Sequence, residues 1–290
     1  MDSTTVIHSI VLGLAQGGVY ALIASGLTLI YAVTRHFNFA HGGLLVLTLY
    51  LSYFFYDSFG IDPYLSFLII SPIMFIIGLL VFRFLFQPLL SSGPLTSILM
   101  FYGIALIIEY LMPITFDSLN HIVPTFLDLS KIHIGSISIK TALLVALIVS
   151  LIVSFGFYWL LKTTDFGRSI RAVAQRPESA ALMGINVRRT QMAVFALAFV
   201  LLAVAGAAYI PMTGINASMG LHITLFAFIV IALGGMGHFI GALVAGIIIG
   251  LAESLSSLFW GTSLSATIPY AIFIMVLLFR PQGLFGSKER

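Results

Sequence analysis

The chain has 290 residues, of which 60% are hydrophobic and only 8% are charged. Soluble domains carry roughly 25% charged residues, so this composition excludes a water-soluble protein and predicts that lipid surrounds most of the chain. The net charge of +3 is too small to indicate nucleic-acid binding, and the absence of cysteine excludes disulfides and thiolate metal sites.

Apolar segments of membrane-spanning length begin near the N-terminus and recur along the chain. A helix needs about 20 apolar residues to cross the hydrocarbon core of a bilayer. The first segment follows no basic residues and is longer than the core of a signal peptide, so we expect it to remain as a helix. Nine segments qualify, some of them short: Val6–Val33, Phe39–Tyr56, Pro63–Phe86, Leu95–Pro113, Thr141–Leu161, Met192–Pro211, His222–Met236, Phe239–Leu258 and Leu264–Phe279.

These segments predict an all-α fold, a polytopic transmembrane helical bundle with residues 1–290 as one transmembrane domain. We expect eight or nine spans, because two short segments could form one broken helix. Six of the 13 basic residues lie in the segment 162–190, and such residues favour the cytoplasmic side. They are Lys162, Arg168, Arg171, Arg176, Arg188 and Arg189.

Counting spans from this basic loop predicts an external N-terminus and a cytoplasmic C-terminal tail, which carries Lys288 and Arg290. The segment 114–140 is then external. Within it, apolar and polar residues alternate from Lys131 to Lys140, which predicts a short hairpin or strand pair.

Two apolar segments are interrupted by glycines and a histidine. In transporters such interruptions often lie on the substrate path near the middle of the membrane, although an ordinary short turn between two spans explains them equally well. His36 and His41 are five residues apart, which is wrong for one helical face, so no metal site is expected. The candidate pathway residues are Asn38, His41, Gly42, Gly234, Gly235 and Gly237.

Small residues and carboxylates within the predicted spans are explained without a role in transport. The Gly-x-x-x-Gly pairs, such as Gly13 with Gly17 and Gly246 with Gly250, favour close helix packing within the chain over a dimer contact. Glu109 and Glu253 lie near predicted external ends, so snorkelling toward water is favoured over a role in ion coupling.

The basic loop contains a short helix with clear start and stop residues. Pro177 suits the first position of a helix, Glu178 favours its N-terminal end, and Gly184 can end it. A helix of about two turns is predicted from Pro177 to Met183. A membrane anchor would need no such helix, so the loop is predicted to contact another protein.

No phosphate-binding loop of the Gly-x-x-x-x-Gly-Lys-Ser/Thr type occurs, and no soluble segment could hold a nucleotide-binding fold. The chain is therefore expected to have no catalytic residues and no cofactor of its own. If transport uses ATP, a partner protein must hydrolyse it.

The basic loop also carries a family resemblance. Glu178-Ser-Ala-Ala-Leu-Met-Gly184 resembles the loop with which permeases of bacterial ABC importers contact their ATPase. The flanking Gly167–Gln175, together with Gly18–Tyr31, Asn38–Gly42, Leu233–Gly237 and Phe279–Phe285, is similar to the branched-chain amino acid permease family. The resemblance runs in order from about residue 10 to 286.

This resemblance implies a multi-pass subunit of a bacterial inner membrane, working with a second similar permease, two ATP-binding subunits that hold ATP and magnesium, and an external solute-binding protein. Contact with the ATPase would come from the small face at Ala180 and Ala181, with charged residues fixing its direction. The residues that this implies for coupling are Arg168, Arg171, Glu178, Ala180, Ala181 and Gly184.

Branched-chain amino acids are the cargo that the resemblance favours, and similar permeases carry urea, short amides or aromatic acids. An ion-coupled secondary amino acid transporter is the alternative from another class, followed by a passive channel. The basic loop and the lack of carboxylates at the middle of the spans disfavour both.

Overall fold

A computed structural model describes residues 3–90, 93–117, 120–128, 130–134, 137–261, 265 and 267–286. Helices dominate these ranges, with one pair of strands. In chain order the elements are α1 (Ser3–Thr34), α2 (His41–Phe59), α3 (Pro63–Leu80), α4 (Pro94–Phe116), β1 (Lys131–Ile134), β2 (Ile137–Lys140), α5 (Thr141–Thr163), α6 (Asp165–Gln175), α7 (Pro177–Leu182), α8 (Val187–Tyr209), α9 (Met219–Gly234), α10 (Phe239–Trp260) and α11 (Thr267–Phe279).

Within the described residues, six helices are long and apolar enough to cross a membrane. They are α1, α3 with its π-helical and 3-10 extension to Leu89, α4, α5, α8 with its extension to Met212, and α10. The shorter helices α9 and α11 are also apolar. The prediction of an all-helical, multi-pass membrane protein is confirmed, whereas the number of spans and their orientation stay predictions.

Close backbone contact between α1 and α10 depends on glycine. A Cβ atom on Gly17 would lie 2.8 Å from the Cα of Ile247, and one on Gly13 would lie 2.9 Å from the carbonyl oxygen of Gly250. Contacts this short leave no room for a side chain. The predicted packing role of these Gly-x-x-x-Gly pairs within the chain is confirmed.

The centre of the bundle is α8. Its side chains at Phe195, Phe199 and Leu202 are fully buried, and Gly78 of α3 packs closely against Ala196. Large apolar side chains are exposed on α3, α4, α5 and α11, including Phe155 and Leu278. In a membrane these outer faces can contact lipid without a cost in free energy, since acyl chains are as apolar as leucine.

The two ends of the bundle differ in what they carry. One end, here called the loop end, carries α6 and α7. The other, the hairpin end, carries β1 and β2, which pair antiparallel with Lys131 opposite Lys140 and Ile132 opposite Ile139. The predicted strand pair is therefore confirmed. Gly135, which the sequence places between the strands, lies outside the described residues, as do Lys288 and Arg290 of the C-terminal tail.

Candidate functional site

The loop end is organised by α6, which continues from α5 after a single residue. The hydroxyl of Thr164 caps α6 by accepting a 3.0 Å hydrogen bond from the backbone N–H of Gly167. Gly167, Ile170 and Val173 are buried at helical spacing, so α6 lies with one apolar face against the bundle. A side chain on Gly167 would overlap the carbonyl of Leu161, which explains the glycine.

Two of the predicted coupling residues are engaged within this chain. Arg168 forms an ion pair with Asp165, and Arg171 donates a hydrogen bond to the carbonyl oxygen of Leu161 near the end of α5. Both side chains are exposed on their outer sides. The Arg171 contact joins α6 to α5, whereas the Arg168 ion pair lies within α6.

The short helix α7 begins and ends where its sequence predicts. Pro177 occupies the first helical turn, and Gly184 has a φ of 84° just beyond the end. The N–H of Ile185 donates to the carbonyl of Ala180 at 3.1 Å, and that of Gly184 to Ala181 at 3.0 Å. This pair of bonds is the Schellman motif, which needs a left-handed residue where Gly184 lies.

Ala180 does not lie on the exposed face of α7, although it was expected to contact a partner together with Ala181. Its side chain is 4% exposed because it packs into the bundle core, whereas Glu178 and Ala181 are exposed. The most exposed apolar side chains of the loop are Leu182 at 89% and Met183 at 83%. Sequence reasoning missed these two residues, although an apolar pair before the helix-ending glycine of a charged loop was a usable signal.

One hydrogen bond joins the loop to the end of α1, and a second joins α1 to α8. The guanidinium of Arg35, just after α1, donates to the carbonyl of Ala174 in α6 at 3.1 Å. The amide of Gln191 in α8 donates to the carbonyl of Val33 at 2.9 Å. A displacement of α6 and α7 would therefore act on α1 and α8 as well as on α5.

The first interruption, between α1 and α2, lies inside the bundle. Asn38 and His41 are both 0% exposed. The Nε2 of His41 donates to the carbonyl of Ile23 at 2.8 Å. Ile23 precedes the end of α1 at Thr34 by eleven residues, or about 16 Å of helix rise, so α2 begins well inside the bundle.

Polar groups at this break are incompletely paired. Asn38 accepts a 3.0 Å hydrogen bond from the N–H of Ala40, but its Nδ2 and the Nδ1 of His41 have no partner among the described residues. Gly42 donates its N–H to the hydroxyl of Thr224 at 2.9 Å. The break therefore places unused hydrogen-bonding atoms in the interior, as a site for a polar solute requires.

The second interruption, between α9 and α10, is a turn at the loop end. Gly235 and Gly237 have φ values of 100° and 80°, which favour glycine, and a side chain on Gly234 would overlap Gly241. The C-terminal segment closes over this turn, since the N–H of Leu284 donates to the carbonyl of Leu233 at 2.7 Å. Two motifs far apart in sequence thus meet here.

The structure does not bring the two interruptions together at one level. His41 bonds to Ile23, whereas a Cβ on Gly237 would lie 3.8 Å from that of Ala32, nine residues further along α1. Gly237 lines an open cavity of 540 Å³ at the loop end, together with Arg35 and Gln282. Asn38, His41 and Gly42 are interior, whereas Gly237 lines the loop-end cavity and Gly234 and Gly235 are buried in the turn beside it.

Glu253 is an inward-facing carboxylate of α10. Its Oε2 accepts a 2.8 Å hydrogen bond from the hydroxyl of Tyr20 in α1. Tyr20 is 7% exposed, so snorkelling is wrong for Glu253: the carboxylate is anchored in the helix interface. Glu109 of α4 is partly buried and takes no part in the bond between Tyr20 and Glu253, so snorkelling stays a prediction for Glu109.

A bundle of membrane-length apolar helices with an ordered basic loop at one end has the architecture of a transport permease. The family described as branched-chain amino acid transport system / permease component matches residues 9–277, and this chain belongs to it. No solved structure matches.

Individual relatives agree with this membership. The high-affinity branched-chain amino acid transport system permease protein LivH of Salmonella typhimurium is 30% identical over 96% of this chain and 94% of its own length. BraD of Pseudomonas aeruginosa, a protein of the same description, is 27% identical over 98% and 96%. A probable LivH of Methanocaldococcus jannaschii is 31% identical over 91% and 88%.

Proposed function

We propose that this chain is the permease subunit of an ATP-binding-cassette importer for branched-chain amino acids, and that α7 couples it to a separate ATPase. The single observation that carries the coupling proposal is the exposed pair Leu182 and Met183. Large apolar side chains at the tip of a charged loop gain free energy when a partner covers them, because burial removes them from water.

The coupling surface in this proposal consists of Glu178, Ala181, Leu182 and Met183. The apolar pair would enter a groove of the ATPase, and Glu178 would accept charge-assisted hydrogen bonds that fix the direction of α7. Behind this surface, Arg171 would join α6 to α5 and Ala180 would pack α7 into the bundle, whereas Arg168 would stabilise α6 through its ion pair with Asp165.

Closure of the ATPase on ATP would then move the spans through short, direct links. The Arg35 to Ala174 bond transmits movement of α6 to α1, and the Gln191 to Val33 bond ties α1 to α8. His41, at the start of α2, bonds to Ile23 of the same α1 helix. A shift of α1 would thus change the interior break where we place the cargo path, at Asn38, His41 and Gly42.

Partners and orientation follow the same proposal. The loop end faces the cytoplasm of a bacterial inner membrane, where two ATP-binding subunits bind ATP and magnesium. The hairpin end faces the solute-binding protein that delivers cargo, and a second permease completes the path. The branched-chain amino acid transport systems to which the relatives belong support these amino acids as cargo. Affinities of the binding protein for branched-chain amino acids, urea and aromatic acids would test the cargo.

Co-purification tests the coupling surface directly. The permease is expressed with the ATPase subunits of the importer, and a Leu182→Ser, Met183→Ser double variant is compared with Phe59→Ser, which removes an exposed apolar side chain at the hairpin end. Burial of each side chain contributes roughly 1.5–3 kcal/mol, so the double variant should bind the ATPase at least about a hundredfold more weakly and lose it on co-purification. Equal retention by both variants would refute the proposed surface.

A further inference from the structure

A cavity of 320 Å³ opens at the loop end between α1, α5, α6 and α10. Its walls are mainly apolar, formed by residues such as Leu29, Leu161 and Ile170, and two cationic side chains also line it, those of Lys162 and Arg171. The combination of an apolar interior and a basic rim is unusual for a site that binds a polar solute. It matches an amphiphile with a negative head.

Among the described residues, no carboxylate neutralises the positive charge at this rim. The ammonium of Lys162 lies 5.6 Å from the centre of the Tyr158 ring, and Arg171 donates to the carbonyl of Leu161. Neither cation has a carboxylate partner in the part of the chain that the structure describes, where Asp165 pairs with Arg168. Both therefore remain free to attract an anion.

A buried hydroxyl in the wall points to a ligand independently of the charges. Thr28 lines the cavity and is 1% exposed, yet its Oγ1 has no hydrogen-bond partner among the described residues. Buried hydroxyls are normally paired, because leaving one unpaired costs free energy. Rotation of the Thr28 side chain to a second rotamer would present the hydroxyl to an acceptor atom of a molecule bound in the cavity.

An exposed apolar track leads away from the cavity along α10. Ile240 lines the cavity, and Val244 and Ile248 follow at intervals of four residues, all three partly exposed on one face of the helix. Because α10 is of membrane-spanning length, this track runs into the hydrocarbon region. Its position suits an acyl chain.

We propose that the cavity binds an anionic phospholipid of the leaflet at the loop end. The phosphate lies against Lys162 and Arg171, an ester carbonyl accepts from Thr28, and an acyl chain follows the α10 track. Basic pockets between spans recognise lipid head groups by this charge complementarity. The bound lipid would hold α5 and α6 beside α1, and so stiffen the base of the loop.

Native mass spectrometry of the assembled importer, titrated with phosphatidylglycerol or phosphatidylcholine, tests the proposal. Wild type should retain phosphatidylglycerol in preference, and Lys162→Gln should weaken that binding about fivefold, the effect of one basic residue near a lipid surface. Thr28→Val should weaken it without changing charge. Lys140→Gln, which removes an exposed cation at the hairpin end, should leave it unchanged.

A photo-reactive residue at Ile240 identifies the occupant. It should crosslink phosphatidylglycerol in the assembled importer, and less of it in the Lys162→Gln variant. Equal retention of the two lipids, equal effects of Lys162→Gln and Lys140→Gln, or capture of the second permease subunit at Ile240 instead of lipid would each overturn the proposal.

Discussion

The hydroxyl of Tyr20 and the carboxylate of Glu253 form a 2.8 Å hydrogen bond that joins α1 to α10 across 233 positions of sequence. Around it, the ring of Phe226 lies 5.5 Å from that of Tyr20, and the ring of Tyr209 lies 6.4 Å away. The bond satisfies a carboxylate that would otherwise be costly within a membrane-spanning helix. It also fixes the rotation of α10 against α1 beyond what the glycine contacts achieve.

Tyr20→Phe should therefore destabilise the protein. A hydrogen bond to a charged group contributes about 1.5–3 kcal/mol, and the variant leaves the Glu253 carboxylate without its donor. Thermal unfolding of the purified protein should show a lower midpoint. Tyr110→Phe, at a tyrosine that is 69% exposed, is the matched control and should unfold like wild type. Equal midpoints for both variants would mean that the bond contributes nothing.

Topology can be tested cleanly because the chain contains no cysteine. Ser179→Cys places a single thiol on exposed α7, and Ser138→Cys places one on exposed β2. If the loop end is cytoplasmic, an impermeant thiol reagent should label Ser138→Cys in intact cells and Ser179→Cys only after lysis. The reverse pattern would invert the proposed orientation.

Two glycines in the left-handed backbone conformation lie at opposite ends of the bundle. They provide a variant that tests coupling and its matched control. Gly184 has a φ of 84° and Gly60 a φ of 66°, and an added Cβ would meet no atom within 4 Å at either position. Valine at either site should cost about 1–2 kcal/mol of backbone strain. Gly184→Val should also lose the ATPase on co-purification, whereas Gly60→Val should keep it. Loss in both variants would point to general misfolding.

The start of α2 depends on a close approach between Gly42 and α9. A Cβ on Gly42 would overlap the carbonyl of Gly220 and lie 2.7 Å from the backbone nitrogen of Thr224. Gly42→Ala should therefore displace α2 and reduce both thermal stability and uptake. Gly103→Ala, in α4 where a Cβ meets nothing, should leave both unchanged. Normal uptake by Gly42→Ala would remove Gly42 from the proposed path.

Local chemistry made much of this molecule predictable from sequence. The ends of α7 follow from Pro177 and Gly184, whose backbone preferences act within a few residues, and the strand pair follows from alternation along one short segment. The apolar segments gave the helices in the same way, because lipid requires each span to satisfy its own backbone.

The remaining features depend on contacts between distant residues. Nothing near Glu253 in sequence reveals that Tyr20 donates to it, and nothing near Ala180 reveals that the bundle buries it while Leu182 is exposed. The glycines from Gly234 to Gly237 suggested an interior path, but their position at the loop end depends on packing against the C-terminal segment. Such facts follow from tertiary packing, which a periodic pattern does not encode.

The proposal that ATP hydrolysed in a partner drives transport by this chain is open to direct measurement. Its most direct test is uptake of labelled leucine into proteoliposomes that contain the chain with its second permease, ATPases and binding protein, with ATP and ion gradients varied separately. Uptake should require ATP and the ATPases, and it should persist when ion gradients are collapsed. Uptake by this chain alone, lost when the gradients are collapsed, would contradict it and identify an ion-coupled secondary transporter.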